Sequence, residues 1–401
     1  MKKRLMILGA SNANRMALLE FAGLQNTECI VLDGNPDSIA KPMFQYFHHV
    51  DITDSSKVLS LAEQYNIDGI YSMNDHALRS ASVVSTKLCL RGLNPASAQA
   101  ALDKGTMREV WKTAGILQPK FRIIVQQEEA IAFCQSEGFP VVIKPVDCGG
   151  GGRGVYVIKD EREVETGFQY ASRFLNRNNR MIIEKFIEGT EASIEYFAYN
   201  GKSYLVAYSD KFKPPLNSRV ATKICYPGLF KPSTVEKMGN ACREAADALG
   251  IAEGVAHVEC IVDPSEQVYL VELGARVGGG HTFHPIASHV SGISYPQLIA
   301  DYFCGQDISE FTISDYRGAA YYFTHSDAAG ILRRVTGLEK ARSTKGVALV
   351  ELWKQPGDQV SVLADSMART GCIVALDKSR DSAANAAEKA LRELQFTVDK
   401  D

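Results

Sequence analysis

Residues 258–280 read VECIVDPSEQVYLVELGARVGGG, and two glutamates, Glu259 and Glu272, stand where a buried strand would be uniformly apolar. Stretches 255–263 and 268–273 are rich in β-branched residues and flank the polar turn DPSEQ, the pattern of an antiparallel hairpin. Alternation places His257, Glu259 and Ile261 on one face of the first strand, with Val268, Leu270 and Glu272 sharing a face of the second. Pairing Asp263 with Val268 sets Glu259 opposite Glu272, with Cβ atoms roughly 5 Å apart. Two carboxylates so placed repel each other unless one is protonated or a cation sits between them. Mg²⁺, which takes oxygen ligands from one or two carboxylates, water and phosphates, suits the pair, with Mn²⁺ as a substitute. The alternative is two solvent-facing glutamates on an edge hairpin.

A second signal is the loop CGGGGRGV, residues 148–155. Gly149, Gly151 and Gly154 satisfy GxGxxG, but a dinucleotide fold needs a helix after the loop, and VYVIKD has the composition of a strand. No GxxxxGK[ST] occurs, and a kinase-like arrangement with Lys159 as the strand lysine fails because HRD and DFG are missing. What remains is a loop whose backbone N–H groups can close over a phosphate, or a mobile surface loop of the same composition. Lys144 lies inside the apolar strand PVVIKPVD. Either a nucleotide phosphate partners it there or it snorkels from the strand end. Downstream, MIIEKFIEGTE puts residues 184–187 at a strand end, where backbone groups can meet an adenine edge and Glu191 can take ribose hydroxyls.

The elements that must position these residues alternate in type. Strands at 4–9, 28–33 and 68–73 with a helix at 14–22 imply a parallel sheet in a unit that runs to about Leu93. A helix opening near Asn94, Pro95 and Ser97 leads to a second unit containing PVVIKPVD, VYVIKD, MIIEKFI, a hairpin turning at Asn200-Gly201, and an Ala-rich helix over 232–250. After about Ile308 short strands (GAAYYFTH, VALVELW, GCIVAL) and a helix over 381–394 form a small closing lobe. A chain of 401 residues, 45% hydrophobic and 23% charged, has the composition of a globular protein of several domains. The formal charge of -3, with no long basic run, offers no footprint for nucleic acid or an anionic membrane. Nine cysteines without a CxxC pair fit reduced thiols and a cytoplasmic setting. MKKRLMILGAS imitates a signal peptide, but its apolar run ends at SNANR, as a first β-strand would.

Lys104 in DKGTMR, Lys144 with CGGGGRG, EKFIEGTE, and HVEC followed by VELGARVGGG, in that order and spacing, resemble the ATP-grasp superfamily of carboxylate–amine ligases, its amino acid ligase and peptide-forming members above all. The resemblance covers nearly the whole chain. It implies an α/β fold of the α+β ATP-grasp type: an N-terminal Rossmann-like parallel-sheet domain over 1–95, an ATP-grasp domain over 96–308 whose two subdomains clamp ATP (the Gly-loop subdomain at about 116–187), and a small α+β C-terminal lobe over 309–401. It implies that Lys104 and Lys144 contact the α- and β-phosphates, that Gly149, Gly150, Gly151, Gly152 and Gly154 close over the triphosphate, and that Glu184 and Ile187 meet adenine and Glu191 the ribose. Glu259 and Glu272 would hold Mg²⁺, and Arg276 would neutralise the substrate carboxylate or an acyl phosphate, a task that suits its fixed fork. Gly274 stands where many members carry Asn, so two protein ligands to the metal are expected.

The implied reaction is attack of a carboxylate, that of an amino acid by this resemblance, on the γ-phosphate of ATP to give an acyl phosphate and ADP, followed by attack of an amine. Small-molecule carboxylate and amine substrates are the expected partners, and the sequence is compatible with a homo-oligomer. Carboxyphosphate chemistry on bicarbonate and a non-catalytic ATP-binding module are the alternatives. Among the decoys, His281, His284 and His289 suggest zinc, but no cysteine or acid completes a set. His281 either lines the substrate pocket or is structural. Cys148 is expected to pack. The basic stretch 210–223 either closes over substrate or is a solvated loop.

Overall fold

The computed structural model describes residues 2–147, 151–175, 179–213, 220–313 and 315–400; Cys148, Gly149 and Gly150 lie outside these. Strands β1 (Lys3–Leu8), β2 (Thr27–Asp33), β3 (Tyr46–His49) and β4 (Gly69–Ser72) form a parallel sheet in the order β3-β2-β1-β4. Strand β3 was not anticipated, because YFHH carries no run of β-branched residues. Met6, Leu8, Ile30 and Leu32 pack under the helices Ser55–Tyr65 and Leu78–Lys87, while Leu5, Ile7 and Val31 face Phe21, Phe283 and the rest of the molecule. This second face is why the N-terminal sheet is docked and not free.

The segment after Leu93 was expected to open one helix and instead forms two, Pro95–Leu102 and Lys104–Thr113. Asp103 breaks the run: its backbone is extended, and its carboxylate accepts from the Thr106 N–H at 2.8 Å, which caps the second helix. Lys104 thereby sits in a first turn, with its own N–H bonded to Val146 O at 3.1 Å beside the Gly loop. Strands β5 (Phe121–Ile124), β6 (Val141–Pro145), β7 (Tyr156–Ile158) and β8 (Met181–Lys185) then build an antiparallel sheet in the order β5-β8-β6-β7. The Gly loop joins β6 to β7, which pair through Val141 and Ile158.

The next strands are β9 (Thr190–Tyr199), β10 (Lys202–Phe212), β11 (Lys223–Tyr226), β12 (Gly254–Val262) and β13 (Val268–Gly274). Asn200 and Gly201 link β9 to β10 with φ of 52° and 71°, the left-handed pair that a two-residue hairpin turn requires. Past residue 313 come β14 (Gly318–His325), β15 (Gly330–Thr336), β16 (Val347–Leu352), β17 (Gln359–Val360), β18 (Arg369–Asp377) and β19 (Gln395–Lys400). One eight-stranded sheet, β13-β12-β9-β10-β11-β14-β18-β16, runs through both regions. It places the C-terminal β16 and the hairpin β12–β13 at opposite ends of one curved wall. Strands β15, β17 and β19, none of them expected, form a separate three-stranded sheet. The helix Pro232–Ala248 covers β9, β12 and β13 with Met238, Cys242, Ala245 and Ala246, and the helix Arg380–Glu393 packs its alanines onto β14 and β18. Among the described residues, no helix is long and apolar enough to cross a membrane.

Candidate active site

The hairpin brings the two glutamates together by a route the sequence did not show. Pairing begins at Val262 with Val268, one residue off the expected register, so an unbroken ladder would set Glu259 against Val271 and turn Glu272 to the other face. A bulge takes up Val271 and restores Glu259 opposite Glu272. Val268 and Leu270 consequently face the apolar core while Glu272 faces the cavity; the three do not share a face. On β12 the alternation holds, with His257, Glu259 and Ile261 lining the cavity and Val258, Cys260 and Val262 buried behind it.

That cavity encloses about 1630 Å³, more than a single small ligand needs, and lies between the Gly-loop sheet, the eight-stranded sheet and the loop after β1. Four of its five carboxylates are matched to lysine or arginine. Lys211 Nζ lies 2.5 Å from Glu259 and 2.9 Å from Glu191, and Lys213 also binds Glu191. Lys104 Nζ is 3.0 Å from Glu272. Burial alone would raise the Glu259 and Glu191 carboxyls, but the lysines, joined at Glu259 by His257, hold both below the usual range. Burial disfavours the charged His257, yet Glu195, 2.6 Å from Nδ1, and then Glu259 push it up to about 9. The basic stretch expected to be a loop is thus partly strand β10, and its lysines at 211 and 213 point into the site; residues 214–219 lie outside the described ones.

Lys144 is buried, as expected, but its partner is Glu184, Oε1 at 2.7 Å. The other Glu184 oxygen accepts from Arg108 Nη2 at 2.7 Å, and Arg108 Nη1 reaches Leu270 O at 3.0 Å. The Glu184 side chain, expected at adenine, is therefore committed to two cations; the Lys185 and Phe186 N–H groups are bonded to Lys120 O and Pro140 O, which leaves the backbone at Ile187, on the same cavity wall, for a base. Gly151, Gly152 and Gly154 have φ of 86°, 75° and 69°. Gly151 leans on the C-terminal lobe: Ser366 N–H donates to its carbonyl at 3.0 Å, and a Cβ there would stand 2.1 Å from Ser366 Oγ.

Arg276 finds a partner that the sequence did not reveal. Asp75, in the 3-10 turn after β4, accepts from Nε at 3.0 Å and Nη2 at 2.9 Å, while Nη1 donates to Val277 O at 2.8 Å. Three of the five guanidinium N–H donors are so used, and two remain for a substrate. A Cβ on Gly274 would lie 3.4 Å from the Arg276 Cζ, so the guanidinium lies against bare backbone where an Asn side chain would begin. Glu259 and Glu272 offer hard oxygen donors whose neighbours, Lys211 and Lys104, are themselves cations, and this donor set fits Mg²⁺ or Mn²⁺.

His281 is fully buried and does not itself line the cavity, although Gly279, Gly280 and Thr282 do. Its Nε2 meets Glu351 Oε2 at 3.0 Å. The acid and cysteine that the sequence did not supply come from β16 and β18: the ligand atoms of His281, Glu351 and Cys372 lie within 4.8 Å of one another. His284 and His289 instead bond Ser288 and the Asp377 carbonyl.

Residues 137–284 match the sequence profile of the ATP-grasp domain, so the chain contains an ATP-grasp domain. Residues 322–399 match L-amino acid ligase C-terminal domain 2. The crystal structure of L-amino acid ligase from Bacillus licheniformis shares the fold, with a TM-score of 0.85 at 21% identity over 100% of this chain and 99% of that one. Alanine–anticapsin ligase of Bacillus subtilis (strain 168) is 25% identical over 68% of this chain and 61% of its own length, so the alignment spans about three-fifths of that relative. An uncharacterized protein of Sinorhizobium fredii, y4rH, is 22% identical over 99% of this chain and 84% of its own.

Proposed function

We propose that the protein is an ATP-dependent, ADP-forming ligase that activates the carboxylate of an amino acid as an acyl phosphate and joins it to an amine. The observation that carries this is the convergence of Glu259, Glu272, Lys104, Lys144, Lys211 and Arg276 on one cavity large enough for a nucleotide and two small substrates. The names of its relatives, an L-amino acid ligase and an alanine–anticapsin ligase, support an amino acid as the activated acid.

The ion pairs describe a site waiting to exchange partners. Lys104, Lys144 and Lys211 leave or share their acids to neutralise phosphate oxygens, with Glu184 keeping Lys144 charged and aimed. Gly151, Gly152 and Gly154 close over the triphosphate, the backbone around Ile187 takes adenine, and Glu191 takes ribose hydroxyls. Glu259 and Glu272 would hold a divalent cation, which would supply charge neutralisation on the transferring phosphoryl group. Arg276, held by Asp75, uses its two remaining N–H donors to orient the acid carboxylate towards the γ-phosphorus and to stabilise the acyl phosphate. Such phosphoryl transfer asks for positioning and charge, and no protein nucleophile is required.

The test is ADP and hydroxamate formation from Mg-ATP and hydroxylamine across a panel of amino acids, other carboxylic acids and bicarbonate. Hydroxamate from an amino acid, lost in Glu272→Gln, is the expected result. ADP formation dependent on bicarbonate alone would move the assignment to carboxyphosphate chemistry, and ATP binding without turnover on any acid would leave a binding module.

A further inference from the structure

Five carboxylates line the cavity, and four of them answer to lysine or arginine: Glu184 to Lys144 and Arg108, Glu191 and Glu259 to Lys211, and Glu272 to Lys104. Glu351 is the exception. Among the described residues its carboxylate meets only the His281 ring at 3.0 Å and the Trp353 indole N–H at 3.3 Å; Arg15 acts on it from farther away. Cys372, paired with Glu351 across β16 and β18, brings no charge of either sign, because burial, reinforced by Glu351, pushes its thiol up to about 12. The surroundings are aromatic as well: the Tyr321 ring stands edge-on to His281 with centroids 5.8 Å apart, and Tyr321 and Trp353 both line the cavity. A half-buried carboxylate with no cation of its own, between aromatic rings, attracts an ammonium ion by charge, hydrogen bonding and ring quadrupole together. His281 behind it is fully buried, and among the described residues its Nδ1 has no hydrogen-bond partner.

We propose that Glu351, backed by His281 and walled by Tyr321 and Trp353, binds the ammonium group of the amine substrate and accepts its proton. This rests on the ligase function proposed above and adds the place and chemistry of the second substrate. Arg15 lies on the same cavity wall, in the loop-to-helix turn after β1, and is a cation near Glu351 for the carboxylate of a zwitterionic substrate, so the amine belongs to the amino-acid class. In the step itself one ammonium proton passes to the Glu351–His281 pair, and the freed lone pair forms the C–N bond to the acyl carbon. The C–O bond to phosphate breaks, phosphate leaves with its electron pair, and it takes the second proton from the new amide nitrogen.

The experiment uses the full chain and the variants Glu351→Gln and Trp353→Phe. Hydroxylamine is uncharged near neutrality and needs neither an ammonium site nor a proton acceptor. Glu351→Gln is therefore expected to lose amide formation with an amino-acid amine on the order of 10²-fold, and hydroxamate formation far less. Amine binding, followed as ligand-induced rise in melting temperature, should weaken about tenfold or more in Glu351→Gln and less in Trp353→Phe. Equal loss of hydroxamate and amide would make Glu351 a structural residue and overturn the proposal. So would unchanged amine binding, or Zn²⁺ binding by the wild type that Cys372→Ser abolishes while Glu351→Gln leaves amine use intact. A wild type that forms no hydroxamate from any acid would defeat the ligase function; the binding comparison would still decide the ammonium site, which falls if no amine stabilises wild type more than Glu351→Gln.

Discussion

Replacing Glu184 with Gln removes the carboxylate that two buried cations share. Arg108 is fully buried, Lys144 is 7% exposed and Glu184 5%, so neither cation can turn to water. Burial already draws the Lys144 pKa down, and Lys144 will shed part of its charge when Glu184 is gone; Arg108 cannot. Breaking a buried pair by removing one partner costs about 3–5 kcal/mol. At 2–4 °C per kcal/mol for a unit of 150–250 residues, the melting temperature should fall by roughly 10 °C. Calorimetry on Glu184→Gln and on Glu184→Gln/Arg108→Met measures this directly. The double variant should melt no lower than the single one, because its second change removes the stranded charge. A single-variant loss under about 1 kcal/mol, the value of an exposed pair, would refute the reasoning.

Four further outcomes follow from the same geometry. Asp75→Asn should raise the KM for the acid substrate and lower kcat by releasing the Arg276 fork, with ATP binding little changed. Burial would raise the Asp75 carboxyl, but Arg276 draws it below its usual range, so its contribution to stability is present above the unfolded value near 3.9 and lost as pH falls. The stability gap between wild type and Asp75→Asn, measured by urea unfolding, should be constant above about pH 5 and close below it. His257, raised to about 9, contributes fully below its unfolded value of 6.5 and loses that contribution as pH rises through 9, a few kcal/mol at most; NMR titration of its ring should show the high value in wild type and a fall in Glu195→Gln. Gly278→Ala would place a Cβ 2.3 Å from Glu195 Oε1 and 2.8 Å from His257 Nδ1, and should destabilise by about 1–3 kcal/mol in thermal melts.

The sequence carried the local parts of this site and not its long-range pairings. The opposed glutamates were legible because β-branched runs and a polar turn define a hairpin, although the bulge at Val271 that makes them face each other leaves no compositional trace. Lys144 stood out as a lysine in an apolar strand, and Asn200-Gly201 marked its turn. Asp75, Arg108 and Glu351 did not stand out, and Lys211 did so only within a basic stretch, since each acts through a partner distant in the chain: Arg276 lies 201 residues from Asp75, and His281 lies 70 from Glu351. Asp103 does not stand out as a break because the segments on either side of it are both helix-forming, although an aspartate before Lys104 is a capping residue type. Strands β3, β15 and β19 are held by neighbours more than by their own composition.

The central claim is that a substrate carboxylate attacks the γ-phosphate of ATP. The most direct measurement is turnover with an acid labelled with ¹⁸O in its carboxylate, followed by mass analysis of the inorganic phosphate released with ADP. The account predicts one labelled oxygen in each phosphate, because the carboxylate oxygen becomes the bridge of the acyl phosphate and leaves with phosphorus. Unlabelled phosphate, or label in AMP with pyrophosphate as the other product, would contradict it.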